Sequence, residues 1–379
     1  MNIGIVCYPT FGGSGVVATE LGKALALKGH QIHFISYQQP VRLDSFHENI
    51  WYHEVNVSDY PLFHYQPYEL VLASKLVDVV KYEKLDLLHV HYAIPHASAA
   101  YMAQQILKTE GINIPFITTL HGTDITLVGK DSSFEPVITF AINQSNAVTA
   151  VSENLKKDTL NHFKINRSIE AIPNFICFDG CETPELDLEL KRNIAPNGEK
   201  IITHVSNFRP VKRVGDVVQI FSKVREQMPC KLLLIGNGPD RHLAETVCRE
   251  RGMSKDLIVL GKVKDTQHVL GIADLFLLPS EFESFGLAAL EAMALGVPVI
   301  SSNTGGIPEV NKDGFSGFLS NVGDVEDMAK NALKLLQNEE KLTQFKEQAF
   351  DQAKKFDILN VLPLYEKLYK RVMEHPSTF

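Results

Sequence analysis

Residues 274–301 read DLFLLPSEFESFGLAALEAMALGVPVIS, and the way this stretch changes character along its length decides the fold. Leu275, Phe276, Leu277 and Leu278 form an unbroken apolar run that stops at Pro279, the pattern of a parallel strand covered on both faces. A helix is expected over 285–295, with Ser284 as its N-cap, and Gly296 with Pro298 ends it before the apolar run 297–300. Two carboxylates ride on this element: Glu283 just before the helix and Glu291 about two turns into it. The first helical turn leaves backbone N–H groups unpaired at the positive end of the dipole, which suits an anion such as a diphosphate. Glu291 is expected to lean toward the same end, because helical side chains tilt toward the N-terminus. Glutamates near a helix start also favour the dipole alone, so the pair needs its context before it means more.

Moving outward, strand-like and helix-like segments alternate along the whole chain. Strands are expected at 3–8, 31–36, 85–91, 114–119 and 147–151, and helices at 16–28, 68–82, 97–109, 134–144 and 153–163. After a linker-like stretch, 171–198, which holds Pro173, Pro184 and Pro196, a second series begins. Its strands are expected at 200–205, 231–235, 257–260, 275–278 and 297–300, its helices at 214–227, 240–251, 266–272, 285–295, 325–336 and 361–374. Such alternation argues for two doubly wound parallel sheets, whose strands present their carboxyl ends to a shared crevice.

The bulk properties narrow the class. With 379 residues, 45% of them hydrophobic, the chain is long enough for two or three ordinary cores. A net charge of −8 gives no support to a nucleic-acid or anionic-membrane partner. The start, MNIGIVCYPT, has no basic leader and no stretch is long and apolar enough to span a bilayer, so a soluble cytoplasmic protein is expected. Cys7, Cys177, Cys181, Cys230 and Cys248 are scattered, and read as reduced thiols rather than a disulfide framework.

Chemistry-bearing residues fall at strand ends. Residues 9–25, PTFGGSGVVATELGKAL, place Gly12 and Gly13 where backbone approaches a ligand before a helix adds a second positive N-terminus. The dinucleotide fingerprint G-x-G-x-x-G is incomplete there. His121 opens the loop HGTD, in which Asp124 is expected to fix the loop. His89 and His91 alternate on one strand face with His96 shortly after, but no carboxylate or cysteine with ligand spacing joins them, so no metal site is expected. No D-x-D pair occurs that could clamp a metal-bound diphosphate, so an anion of that kind would have to be met by protein cations. Arg209, Lys212 and Arg213 in THVSNFRPVKRVGD follow a strand and suit that task, although a solvated basic turn would look the same. Gly236 and Gly238 form the turn GNGPD, and LGKVK, with Lys262 and Val263, follows the next strand.

The carboxylate pair in EFESFGLAALEAMALGVPVI resembles the signature of the retaining, nucleotide-sugar-dependent glycosyltransferases of family 4. The stretches FGGSGVVATELG, HVHYAIPHA, TTLHGTDIT and VSNFRPVKR extend the resemblance over nearly the whole chain. It implies the α/β fold called GT-B, two doubly wound Rossmann-like domains facing across a deep interdomain cleft. These would be residues 1–170, with a helix at 360–379 crossing back onto them, and residues 171–359 as the UDP-binding domain. The loops are most similar to a branch that moves N-acetylglucosamine from UDP-N-acetylglucosamine to the hydroxyl of L-malate, the first step of bacillithiol biosynthesis.

In that resemblance His121, Lys212, Arg209 and Glu283 are catalytic. Donor contacts fall on Gly12, Gly13, Asn207, Arg213, Gly236, Gly238, Lys262, Val263, Ser284, Phe285, Gly286, Leu287 and Glu291. Asn207 stands where most relatives have arginine, which leaves Arg209 or Arg213 to supply the guanidinium. Acceptor contacts fall on Ser14, Tyr92 and Thr119, while Arg42 and His64 are added from charge alone. No cofactor or metal is implied, and family habit suggests a homodimer. Alternatives are another acceptor such as an inositol phosphate or a glycan, a nicotinamide-dependent oxidoreductase, or a non-catalytic nucleotide-sugar sensor. The oxidoreductase would need the complete glycine fingerprint and an acid about 20 residues on. The sensor would not need Lys212, His121 and Glu283 together.

Overall fold

The computed structural model describes residues 1–10, 12–43, 46–57, 66–127, 131–178, 187–263 and 266–375. The chain divides into two compact units, Met1–Phe175 joined by the segment from Ile358 onward, and Ile176–Asp357.

The first unit contains β1 (Asn2–Val6), α1 (Gly13–Leu27), β2 (Gln31–Ser36), β3 (Ile50–Glu54), α2 (Tyr68–Glu83), β4 (Leu87–His91), α3 (Ser98–Thr109), β5 (Phe116–Leu120), α4 (Glu135–Gln144), β6 (Ala147–Ala150), α5 (Glu153–His162) and β7 (Ile169–Ala171). The second contains α6 (Leu188–Ile194), β8 (Lys200–Val205), α7 (Val214–Arg225), β9 (Cys230–Ile235), α8 (Arg241–Glu250), β10 (Leu257–Gly261), α9 (Gln267–Gly271), β11 (Leu275–Leu278), α10 (Leu287–Ala294), β12 (Val299–Ser302), α11 (Ile307–Val310), β13 (Gly317–Ser320), α12 (Val325–Leu336) and α13 (Glu339–Ala353). The last helix, α14 (Ile358–Glu374), belongs to the first unit.

Both sheets are parallel throughout. The seven strands of the first run β3-β2-β1-β4-β5-β6-β7, and the six of the second run β10-β9-β8-β11-β12-β13. Strand order therefore reverses between β1 and β4 in one sheet and between β8 and β11 in the other. Such a switch point splays the connections apart at the carboxyl ends and leaves room for a ligand. Central strands are apolar because helices cover both faces: every residue of β4, β5 and β11 is buried. Each wholly buried leucine or phenylalanine there contributes roughly 1.5–3 kcal/mol.

Several expectations are corrected. The helix expected at 285–295 starts later: α10 is preceded by Gly286 at φ 95°, and Ser284 does not cap it. Phe285 is drawn into the core, where it meets Phe356 edge-on, so the chain needs a left-handed residue to turn from it into the helix. Glu291 consequently sits about one turn into α10. Strands β3, β7 and β13 and helices α6, α11 and α13 lie outside the expected elements; β3 is a half-exposed edge strand, and β7, β13 and α11 are too short to show a period. Because β7 pairs with β6, the first unit runs past residue 170, and α6 lies inside the stretch read as linker. Cys7, Cys177, Cys230 and Cys248 are in no disulfide, and Cys181 lies outside the described residues.

Candidate functional site

In the first unit the candidate residues gather where β1, β4 and β5 end. The Tyr92 hydroxyl donates to Ser14 Oγ at 2.8 Å, tying the residue after β4 to the first turn of α1. Tyr92 itself adopts φ 88°, a conformation that costs a non-glycine residue about 1–3 kcal/mol and is found where surrounding structure enforces it. Enforcement comes from Asp124, whose carboxylate accepts from Ala93 N at 2.9 Å and Gly122 N at 3.1 Å, binding the loops after β4 and β5 together. Asp124 thus fixes the loop, as its position in HGTD suggests.

Behind this layer runs a file of buried imidazoles. His121 Nε2 and His91 Nδ1 share a hydrogen bond at 2.8 Å, and His91 stacks on His89 with ring centroids 4.6 Å apart. His89 is held at both nitrogens, by Tyr369 of α14 at 2.7 Å and by Thr119 at 2.7 Å. Burial holds His89 and His121 down to about 3 and His96 to about 4, and carries His91 well below the ordinary imidazole range with help from its neighbours. These rings are neutral at physiological pH. Burial acts oppositely on Asp124, pushed up to about 6, and Tyr92, pushed up to about 12.

Thr119 is brought to the strand end but not to a free surface: it is fully buried, and its hydroxyl also meets Thr149 at 2.7 Å. It therefore orients His89 and stands one layer behind Tyr92. Gly12 and Gly13 are exposed at the start of α1. Arg42 is exposed on the loop after β2 at φ 61°, and His64 lies outside the described residues. The imidazole nitrogens of His89 are spent on Tyr369 and Thr119, which removes it as a metal ligand.

In the second unit the residues after β8 and β11 converge. Lys212 Nζ lies 2.6 Å from Glu283 Oε1, which also accepts from Ser280 Oγ at 2.9 Å. The loops are tied by backbone as well, Glu281 N donating to Val211 O at 2.8 Å. Below Glu283 packs the turn after β12: Gly306 N donates to Glu283 O at 2.8 Å, and a Cβ on Gly305, at φ 56°, would collide with that same carbonyl oxygen. Thr304 adds a hydroxyl to Glu281 O at 3.2 Å. Thus Ser284, Gly286 and Leu287, at the mouth of α10, share one loop system with Glu283 and Lys212.

The two cations in doubt differ in circumstance. Arg213 Nε is committed to Asp216 at 2.6 Å, whereas Arg209 is exposed, and among the described residues its side chain has no ion pair or hydrogen bond. Asn207 is exposed beside them. Gly236 and Gly238 lie directly under this loop, since a Cβ on either would collide with the carbonyl oxygen of Ser206 or Asn207. Their absent side chains let the loops after β8 and β9 touch, which also holds Phe208 at φ 42°. Lys262 is exposed and Val263 half-buried after β10, whose end Gly236 N reaches through Gly261 O at 2.7 Å.

The sequence reading missed four contributors. Ser280, Gly305 and Gly306 carry a legible signal, a small-residue turn at a strand end. Tyr369 carries none, because only folding brings it to His89.

A cavity of about 450 Å³ lined by Asn143, Asn166, Arg167 and Arg371 opens at the amino end of β6, the wrong end of the sheet for these residues.

Two family descriptions match the chain: Glycosyltransferase Family 4 over residues 11–179 and Glycosyl transferases group 1 over residues 187–352. N-acetyl-alpha-D-glucosaminyl L-malate synthase of Bacillus anthracis is 46% identical over 376 residues, 98% of this chain and 97% of that one. Among solved structures, Anabaena HepE in complex with UDP and glucose superposes with a TM-score of 0.81 at 18% identity, covering 98% of this chain and 99% of that one. Sucrose-phosphate synthase from Thermosynechococcus elongatus superposes with a TM-score of 0.77 at 18% identity, covering 99% of each. Those likenesses establish the GT-B fold and, with both halves matched and 46% identity to the Bacillus anthracis synthase, the chain belongs to the family 4 glycosyltransferases.

Proposed function

We propose that this glycosyltransferase moves N-acetylglucosamine from UDP-N-acetylglucosamine to the hydroxyl of L-malate with retained anomeric configuration, releasing UDP. The near full-length identity to the Bacillus anthracis enzyme of that name supports the substrates. The observation that carries the chemistry is the Lys212–Glu283–Ser280 constellation at the switch point of the second sheet.

An ammonium has three donors, so Lys212 keeps Glu283 and still offers N–H groups to a β-phosphate oxygen. Charge on that oxygen grows as the glycosidic bond breaks, and a preplaced cation in a half-buried site stabilises it most at that moment. Arg209, uncommitted where Arg213 is paired, supplies the guanidinium that Asn207 lacks. The backbone N–H groups at the start of α10 face the same diphosphate. Glu283 retains Oε2 for the sugar hydroxyls, and Glu291 takes the ribose.

On the first unit, His121 presents Nδ1 to the sugar while His91 holds Nε2. Tyr92 and Ser14 receive malate, while Gly12 and Gly13 leave backbone N–H groups for the donor diphosphate. The sequence motifs of the first unit offer no carboxylate as a covalent nucleophile, so the malate hydroxyl attacks from the face the diphosphate leaves, and the β-phosphate oxygen takes its proton. The reaction needs no metal ion, and the enzyme works in the cytoplasm as a homodimer.

Mass spectrometry of the product decides the reading. N-acetylglucosaminyl malate is expected from UDP-N-acetylglucosamine with malate, in the presence of a chelator, and not with an inositol phosphate in place of malate. Product with the inositol phosphate alone would assign a different acceptor, and calorimetric binding of NAD but not UDP would overturn the class of substrate.

A further inference from the structure

Away from these residues, three side chains that suit a metal ion meet at the edge of the first sheet. The ligand atoms of His33 on β2, His53 on β3 and Glu83 at the end of α2 all lie within 4.8 Å of one another. His33 Nδ1 and His53 Nε2 are 2.9 Å apart, and His33 Nε2 is buried with no hydrogen-bond partner among the described residues. Tetrahedral zinc with bonds of roughly 2.0–2.1 Å puts its ligands about 3.3 Å apart, so the imidazoles need open by only a few tenths of an ångström. Glu83, exposed on a flexible stem, closes the remainder.

We propose that His33, His53 and Glu83 form a structural site for one divalent cation of the imidazole-preferring class, Zn²⁺ or Ni²⁺, clamping the edge strand β3 and the end of α2 to β2. Both rings are available as neutral ligands: burial lowers His33 to about 4 and also lowers His53. Glu83 supplies the anion, opposed at His53 by Lys75. Its backbone is anchored, Asn2 Nδ2 donating to Glu83 O at 3.3 Å, so the carboxylate hangs from a fixed point. The proton now shared by the two rings needs no acceptor outside them. In the tautomer where His53 Nε2–H donates, His53, a half-buried residue, moves that proton to Nδ1, and each ring keeps a lone pair for the ion. The open coordination positions go to water. Among the described residues β3 is the edge of its sheet, paired with β2, and a cross-link there holds what hydrogen bonds on one side alone hold weakly.

The site carries its own reporter. Trp51, the single tryptophan of the chain, stacks on His33 with centroids 4.9 Å apart and planes 13° from parallel. Untagged, chelator-treated protein is titrated with Ni²⁺ while Trp51 emission is read, then with Zn²⁺. Quenching that saturates near about one ion per chain, reversal by Zn²⁺, and affinity about 10-fold or more weaker in both His53→Ala and Glu83→Gln support the site. No saturable quenching, or equal quenching in both variants, overturns it. Glu83→Gln, at an exposed position, keeps the test valid should His53→Ala misfold.

Discussion

In the first unit the candidate site is a file of uncharged rings sunk in the core; in the second it is a lysine and a glutamate 2.6 Å apart at the end of a strand. The same topology serves both, a parallel sheet with its switch point beside the residues. What differs is the dielectric each asks of its surroundings. Neutral groups are stable in the interior where their hydrogen bonds close, and the first unit closes both nitrogens of His89 with Thr119 and Tyr369, while Nε2 of His91 and of His96 stays buried without a partner among the described residues. Charges that have to meet a charged ligand must stay near water, and Lys212 and Glu283 remain partly exposed, at 20% and 14%. One unit orients without charge, and the other handles charge.

The comparison breaks most visibly in acid. His89, His91, His96 and His121 have folded-state values far below the ordinary 6.5, so between about 6.5 and about 4 the unfolded chain binds more protons than the folded one. Stability is present above 6.5 and lost as pH falls, by up to about 1.4 kcal/mol per pH unit for each ring. Asp124, raised to about 6, works the other way below that value and offsets about one ring. In the second unit His204, at about 4, is the counterpart. Hydrogen-exchange mass spectrometry across this pH range should therefore show the first unit opening before the second, and the reverse order would contradict the contrast.

Next in size is Lys212→Ala, expected to lower kcat by about 10²–10³-fold while UDP binding weakens far less, because its partner charge grows toward the transition state. Equal losses in turnover and in calorimetric UDP affinity would make Lys212 a binding group only. Gly305→Ala sharpens the same half: a side chain at φ 56° against Glu283 O should cost about 1–3 kcal/mol in urea unfolding and reduce turnover with it. An unchanged unfolding midpoint would mean the turn gives way freely. Smallest is the choice between arginines. Arg209→Ala should cost about 10-fold more in kcat than Arg213→Ala, whose guanidinium is already paired with Asp216. Larger loss at Arg213 would reverse the assignment.

The second unit's site was the more legible. The residues that carry its charge lie in two stretches, 206–213 and 280–291, each directly after an expected strand, so local pattern alone marks them. Even there Ser284 was misplaced as a cap, because burying Phe285 outweighs a serine's preference and Gly286 takes the turn instead. The first unit was half legible. His91, Tyr92 and His121 stand at strand ends, but Thr119 reads as a ligand-facing residue only until the neighbouring strand supplies Thr149 and the imidazole of His89.

By itself the sequence determined the alternation of elements, the strands covered on both faces and the carboxylate pair at a helix mouth, since each rests on periodicity and spacing within about 30 residues. Tertiary structure alone decided which hydroxyls and imidazoles are already spent. Tyr369 reaches His89 from 280 positions away, and Gly305 slides beneath Glu283 from another strand. A hydrogen-bonding group becomes a ligand or a strut according to whether the fold has satisfied it, and partners remote in the chain leave no mark on the local pattern.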